Sequence, residues 1–494
     1  MFSSFNKKFV WFCVGLHLAI VLPLAWTLNL WLDEAWTLKT TDDIATVWTE
    51  TVFGERQAPL YFFLLAVWRI FDDSLFFARL FSVFCAVASI FVFDKLAKRL
   101  LPENYGKYAA AFFAVHPFLI WTALEARLYA LAVLFSVLLM LFWHKGYAAD
   151  GENKPARAIY VLLSIIGLYA YYFVGFLLVA NAAALVVLGC RKQLKSYLWQ
   201  MAIVGVGIVP LLFIIKLQFS VNADYVRPDA SLIEAVRIIW QHFLNFALPA
   251  DLGLSAVIRL WLIRLLIVVL IVVLIKNKAR NLSRQTLALA AIVAVSAAFF
   301  FIVYFLLGAT YLEVRHVATL FVPVLLFLAS LLFDVVPRRR FVLIGVLIAV
   351  FYAVSLFAAY SPLAKRGDWA RIAAFIETNE RLNEPVIVFR AYDELPLGST
   401  YRGVNRIVLK DQPHELFGAE DKPKTAARWR RQIETIIAEI PPDHERLWLI
   451  TEETCDDEKT IIECQPLEDF VREHYVVERT EFFFYRKVRL LRRK

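Results

Sequence analysis

The sequence predicts a polytopic all-α membrane protein of about eleven transmembrane helices, followed by a small C-terminal α/β domain. Three observations predict it. Of the 494 residues, 60% are hydrophobic and 15% aromatic, more apolar surface than a soluble chain of this length can use. Apolar runs of roughly 17–25 residues recur up to Tyr360, most of them long enough to cross a bilayer. Every second loop between those runs is basic. The net charge of +9 sits mainly in those loops and at the C-terminus, so it points to membrane lipids as neighbours and away from nucleic acid.

The first run, Phe9 to Leu28, follows Lys7 and Lys8 in the manner of a signal peptide. It is too long for a signal-peptide core and lacks a small-residue cleavage site, so it is an uncleaved anchor. Further spans fall near 75–94, 108–122, 127–144, 158–171, 173–190, 198–218, 256–275, 285–307, 316–333 and 341–360. With a cytoplasmic N-terminus, the inner loops hold Lys95, Lys98, Arg99 and Lys107; Lys145, Lys154 and Arg157; Arg191, Lys192 and Lys195; Lys276, Lys278, Arg280 and Arg284; and Arg338, Arg339 and Arg340. That is the positive-inside pattern. It predicts a bacterial inner-membrane protein whose C-terminal part, 361–494, is periplasmic.

Two outer loops carry more than a connection. In 41–54, Ile44, Val47, Trp48 and Val52 recur at helical spacing behind Thr41, Asp42 and Asp43, which suits an interfacial helix. The apolar stretch 58–71 reaches only about 21 Å as a helix, so it lies on the membrane or dips into it. In 231–247 a capping box, Ser231-Leu232-Ile233-Glu234, opens a helix with Leu232, Val236, Ile239 and Phe243 on one face. Residues 1–360 thus form a transmembrane module with three outer-face helices.

After Tyr360 helix and strand alternate. Asp368 is placed to cap a helix through Asn379, and Pro385 to Phe389 has the pattern of a buried strand. A helix near 425–439 precedes a strand at Arg446–Ile450, a helix near 466–474, and strands near 475–479 and 482–488. Cys455 and Cys464 are the only cysteines in this part. In an oxidising compartment they are expected to form a disulfide worth about 2–3 kcal/mol.

Ionisable residues gather near the outer ends of the spans. Asp33 and Glu34 follow the first span between Trp31 and Trp36, and Arg79 lies just inside the second. Glu125 and Arg127 join the third and fourth, and Glu313, Arg315 and His316 the ninth and tenth. Charge at membrane depth is expensive and is usually paired or functional. Arginines of this set suit a phosphate headgroup, which they bind in two-pronged fashion. Adjacent carboxylates point apart on any regular element, so Asp33 and Glu34 divide the work: one catalytic group, and one holding a neighbour or the loop. No third oxygen ligand at useful spacing indicates a divalent metal, and no phosphate loop, zinc spacing or nucleophile elbow indicates a cofactor.

Several of these pieces together resemble the membrane glycosyltransferases of the GT-C fold, in the protein-mannosyltransferase-like group (glycosyltransferase family 39) that includes the aminoarabinose transferases of lipid A. They are Leu32-Asp33-Glu34-Ala35, Ala58-Pro59-Leu60-Tyr61, Arg79-Leu80, the run from Glu125-Ala126-Arg127 to Tyr129-Ala130-Leu131, and Tyr311 through Arg315-His316 to Pro323. Asp368-Trp369 is a weaker match. Family members often carry histidine before the Pro-Leu-Tyr run, where this chain has Gln57-Ala58, so no imidazole role is carried over there. The resemblance implies transfer of a sugar from a polyprenyl-phosphate carrier to a protein, lipid or glycan acceptor on the outer face. By the same resemblance Asp33 is the catalytic base, supported by Glu34. Arg127 and Arg315, with His316, Tyr129 and Arg79, bind the donor phosphate. Gln57, Tyr61, Glu125 and Tyr311 line the substrate cavity. The alternative, a secondary transporter or flippase of lipid-linked substrates, predicts repeated halves and charges at the midplane, and neither is visible in the sequence.

Overall fold

In a computed structural model the described residues are 2–149, 153–222, 232–247, 282–305, 314–336, 338–361, 363, 367–389, 393–408, 433–452 and 465–494. They form two compact units. The first comprises Met1–Trp26, Asp43–Lys216 and Arg227–Ser361; the second comprises Thr27–Asp42, Leu217–Val226 and Pro362–Lys494.

The first unit is helical. Among the described residues, six helical segments are long and apolar enough to cross a membrane: Lys8–Thr27, Leu75–Leu100, Tyr129–Ala148, Arg284–Phe305, Val314–Val335 and Val342–Tyr360. A bent pair, Arg191–Gly207 and Val209–Gln218, makes a seventh if it is one span. The 59° bend falls where Pro210 removes a backbone donor and its ring crowds the carbonyl one turn back.

Other expected spans are shorter or interrupted. Lys154–Ala170 and Val174–Leu188 have 17 and 15 residues, reaching about 25 and 23 Å. The run at 108–122 is two helices, Glu103–Ala114 and Pro117–Ala123. Pro117 drives His116 out of the helical region, to ψ 128°, and the imidazole turns this break into a cap. Its Nδ1 accepts the Phe118 N–H at 3.0 Å, and its Nε2 lies 2.9 Å from the Phe246 carbonyl. Since Nδ1 is the acceptor, Nε2 carries the proton. The expected span at 256–275 lies outside the described residues.

Of the expected outer-face helices, 41–54 starts late. Residues before Thr46 form a turn, with the Asp43 carboxylate accepting the Ala45 N–H at 3.0 Å. Val47–Thr49 then runs into a π-helical stretch, Glu50–Glu55. Val47 and Val52 are buried, while Ile44 and Trp48 are exposed. The 58–71 stretch is helical over Leu60–Arg69, about 15 Å of helix and too short to cross. Helix Leu232–Ala247 is present; its expected cap, Ser231, lies outside the described residues.

The second unit contains a four-stranded sheet of order β1-β2-β4-β3, formed by β1 Val386–Val388, β2 Arg446–Glu452, β3 Tyr475–Phe483 and β4 Arg486–Arg493. Among these four strands β1 and β2 pair in parallel and the other pairs are antiparallel; β1 also makes a parallel bridge from Val386 to Ile407. Alternation along β2 gives the sheet two buried faces. Leu447 and Leu449 pack with Leu467 and Val471 of helix Gln465–His474, while Trp448 and Ile450 pack with Trp369, Ile372 and Ile376 of helix Trp369–Asn379. The last strand was expected at 482–488. It instead begins at Arg486, after a turn in which Tyr485 has φ 63°, and it runs through a basic stretch whose inner members are buried and paired. Arg486 reaches Asp393 at 2.7 Å, and Arg489 bonds both Glu468 oxygens at 2.8 and 2.6 Å. Cys455 and Cys464 lie outside the described residues, as does most of the helix expected near 425–439.

Asp368 does not cap helix Trp369–Asn379 with its side chain. Its backbone is left-handed at φ 49°, and its carboxylate accepts the Arg371 Nε–H at 3.0 Å. Burial raises this carboxyl above the usual range, against the pull of Arg371. Asparagine tolerates this backbone and a β-branched residue does not. Asp368→Asn should therefore cost at most about 1 kcal/mol, and Asp368→Val about 1–2 kcal/mol more. Thermal unfolding of the full chain in detergent checks the difference.

Candidate active site

The carboxylate pair belongs to the second unit. Directly after the helix that ends at Thr27, the chain turns into a short helix, Leu32–Thr40. Asp33 and Glu34 occupy its first turn and Lys39 its last, each sign matched to the helix dipole. The Thr37 hydroxyl donates to the Asp33 carbonyl at 3.1 Å, and Lys39 lies 5.3 Å from the Trp36 ring. Glu34 is fully buried, whereas Asp33 is partly exposed. The two acids therefore differ in surroundings, and in what each can do. A buried carboxylate is fixed by its neighbours, while a partly exposed one can exchange a proton with a bound molecule. The helix packs on Glu394–Thr400 within the same unit.

The cations belong to the first unit, where they gather around a sharp turn. Leu124 to Leu128 separates helix Pro117–Ala123 from helix Tyr129–Trp143. Arg127, in this turn, is buried, and its Nη1 donates to both oxygens of Glu55 at 2.8 and 2.9 Å. Glu55 closes the π-helical stretch and is itself only 7% exposed. Beside it, Gln57 Nε2 is 3.5 Å from Glu55 Oε2, and the Gln57 carbonyl accepts the Tyr172 hydroxyl at 3.1 Å.

A second tyrosine fixes the segment that bears Arg315 and His316. The buried Tyr171 hydroxyl contacts the carbonyls of both, at 3.1 and 2.6 Å. Arg127, Arg315 and His242 all lie close enough to His316 to act on its imidazole electrostatically. Tyr129 and Arg315 bear on Tyr171 in the same way, and Tyr129 stacks on Trp121 with centroids 5.4 Å apart. Arg127 and Arg315 thus both lie within electrostatic reach of His316, and Tyr129 within reach of Tyr171. Guanidinium and imidazole groups in one region suit an anion.

Arg79 and Glu125 are engaged elsewhere in this unit. Fully buried, Arg79 donates from Nη1 to the Ala25 carbonyl at 2.9 Å, placing a cation on the last turn of the first helix. The Glu125 carbonyl accepts the Ser82 hydroxyl at 2.5 Å, and the Glu125 and Arg79 side chains both act on Tyr360. Tyr61 is buried, edge-on to Phe62 and Phe81. Tyr311 lies outside the described residues. Among the described residues no three histidine, cysteine or acidic side chains are grouped to hold a metal.

Sequence reasoning missed Glu55 and His242. Glu55 had a signal: a buried Arg127 requires an acid, and Glu55 stands just before the Ala58-Pro59-Leu60-Tyr61 motif. His242 had none beyond its place in an amphipathic helix.

No protein-family model and no curated protein matches this chain. Solved structures do. ArnT from Cupriavidus metallidurans in the apo state is 12% identical, with a TM-score of 0.55 and 97% of each chain covered. The same protein bound to undecaprenyl phosphate is 13% identical, with a TM-score of 0.53 and 98% of each chain covered. At this identity the likeness is one of fold. The chain is a multi-pass membrane protein with the GT-C fold to which its motifs pointed.

Proposed function

We propose that this chain is an inverting glycosyltransferase of the bacterial inner membrane. It moves a sugar from a polyprenyl-phosphate carrier to an acceptor on the periplasmic side. One observation carries the proposal: Arg127 and Arg315 both act on His316 in a fold shared with ArnT, which has been solved with undecaprenyl phosphate. The donor's phosphate would sit against these groups, which offset the charge that grows as the sugar–oxygen bond breaks. That leaving group is already anionic, so no strong general acid is needed.

Asp33 takes the proton. As the acceptor oxygen attacks the anomeric carbon, the bond to the phosphate oxygen breaks, its electron pair leaves with the polyprenyl phosphate, and the acceptor's proton passes to the Asp33 carboxylate. Such general-base help is worth about 10²–10⁴ in rate. Support for this role comes from the Leu32-Asp33-Glu34-Ala35 motif and from the partial exposure of Asp33 beside a buried Glu34. Glu34 then holds the helix that presents Asp33. Acceptors of three kinds fit the proposal: a protein, a lipid such as lipid A, or a wall glycan.

Purified full-length protein is to be incubated with a panel of polyprenyl-phosphate sugars and candidate acceptors, and polyprenyl phosphate release measured. The expected result is release of one polyprenyl phosphate for each sugar transferred. Movement of intact donor across liposomes, with no sugar released, would instead establish the flippase alternative.

A further inference from the structure

A second group of cations in the first unit surrounds the start of helix Arg191–Gly207, and none of them is among the residues proposed above for the transfer reaction. Arg157, Lys192, Gln193, Lys195, Ser196 and Trp199 line a cleft of about 410 Å³. Three of these six side chains are cationic, and no carboxylate is found among the described residues lining the cleft.

The wall of the cleft is built rather than incidental. Arg157 is buried, donating from Nε to the Gly146 carbonyl at 2.7 Å and from Nη1 to the Ser196 hydroxyl at 3.2 Å. Its guanidinium lies 5.3 Å from the Tyr147 ring centroid. Behind it Tyr160 and Tyr197 share a hydrogen bond at 2.9 Å, and Asn181 donates to Tyr160 at 3.0 Å. Fixed guanidinium planes of this kind suit phosphate oxygens.

The helix continues the pattern away from the cleft. Lys192, Lys195, Trp199, Ile203 and Val206 fall at successive spacings of three, four, four and three, which is one face of an α-helix. The two lysines are exposed. Trp199, Ile203 and Val206 are 73%, 48% and 73% exposed, although this helix opens a bent pair apolar enough to span a membrane. Cations at the end, an indole next and an apolar stripe beyond follow the order of groups along a phospholipid.

We propose that the cleft binds the phosphate of an anionic phospholipid, whose acyl chains run along Trp199, Ile203 and Val206. A free phosphate ion would use the same three cations and leave the stripe unused.

The test uses the full-length protein in detergent with phospholipids carrying brominated acyl chains, which quench tryptophan on contact. Emission lost in Trp199→Phe, relative to the wild type, isolates the signal of Trp199. Brominated phosphatidylglycerol should quench that signal at a mole fraction at least about tenfold lower than brominated phosphatidylcholine, and the double variant Lys192→Ala/Lys195→Ala should abolish the preference. Both lysines are exposed, so that variant keeps its fold. Equal quenching by the two lipids, or an unchanged preference in the double variant, would overturn the proposal. So would equal quenching by the two lipids together with inorganic phosphate bound by the wild type and lost in the double variant, which would assign the cleft to a free anion.

Discussion

Asp33→Asn is expected to slow sugar transfer by about 10²–10⁴-fold while leaving the melting temperature of the protein nearly unchanged. The separation of the two effects follows from where Asp33 stands. It is partly exposed in the first turn of helix Leu32–Thr40, where asparagine keeps the shape of the side chain and forfeits a favourable charge at a helix start, about 0.3–1 kcal/mol. Glu34→Gln should divide the other way. Glu34 is fully buried, and altering a buried carboxylate leaves its neighbours with bonds they cannot remake, a loss of about 1–3 kcal/mol. Single-turnover transfer rates and thermal melts of the two variants, taken together, decide the assignment. Wild-type turnover in Asp33→Asn would remove the base from the mechanism.

What could be read in advance from the sequence was whatever the chain writes locally. Apolar runs mark helices because a membrane span must satisfy its own backbone, and Leu75–Leu100 and Arg284–Phe305 lie where composition put them. The break at His116 was equally local, since Pro117 announces it, yet the apolar run at 108–122 hid it. Short, continuous apolar runs located Val386–Val388 and Arg446–Glu452. The basic end of the chain misled for a different reason. Arg486 and Arg489 have the composition of a solvated tail, but tertiary packing supplies Asp393 and Glu468, 93 and 21 residues away.

The same distinction runs through the site. Arg127, Arg315 and His316 were found because each sits in a short motif. Their convergence depends on the Tyr171 hydroxyl holding the 315–316 backbone from 144 and 145 residues away, which no local pattern encodes. Glu55 reaches Arg127 across 72 residues, and only the requirement that a buried cation find an anion could have predicted it.

That pair gives the second large effect. Arg127 and Glu55 are 5% and 7% exposed, so removing either partner strands a charge away from water, and Arg127→Ala or Glu55→Ala should destabilise the protein by about 3–5 kcal/mol. Such a loss would abolish activity whether or not Arg127 meets the donor, and the alanine variants alone therefore decide nothing. Arg127→Lys separates the two roles. Lysine keeps the charge opposite Glu55 but offers a single ammonium in place of a planar fork, so most of the stability should return. If Arg127 also grips the donor phosphate, the KM for the polyprenyl-phosphate sugar should stay raised by at least about tenfold, the loss of one charge-assisted bond. Recovery of stability and donor KM together would confine Arg127 to holding Glu55, and the phosphate would then rest on Arg315 and His316.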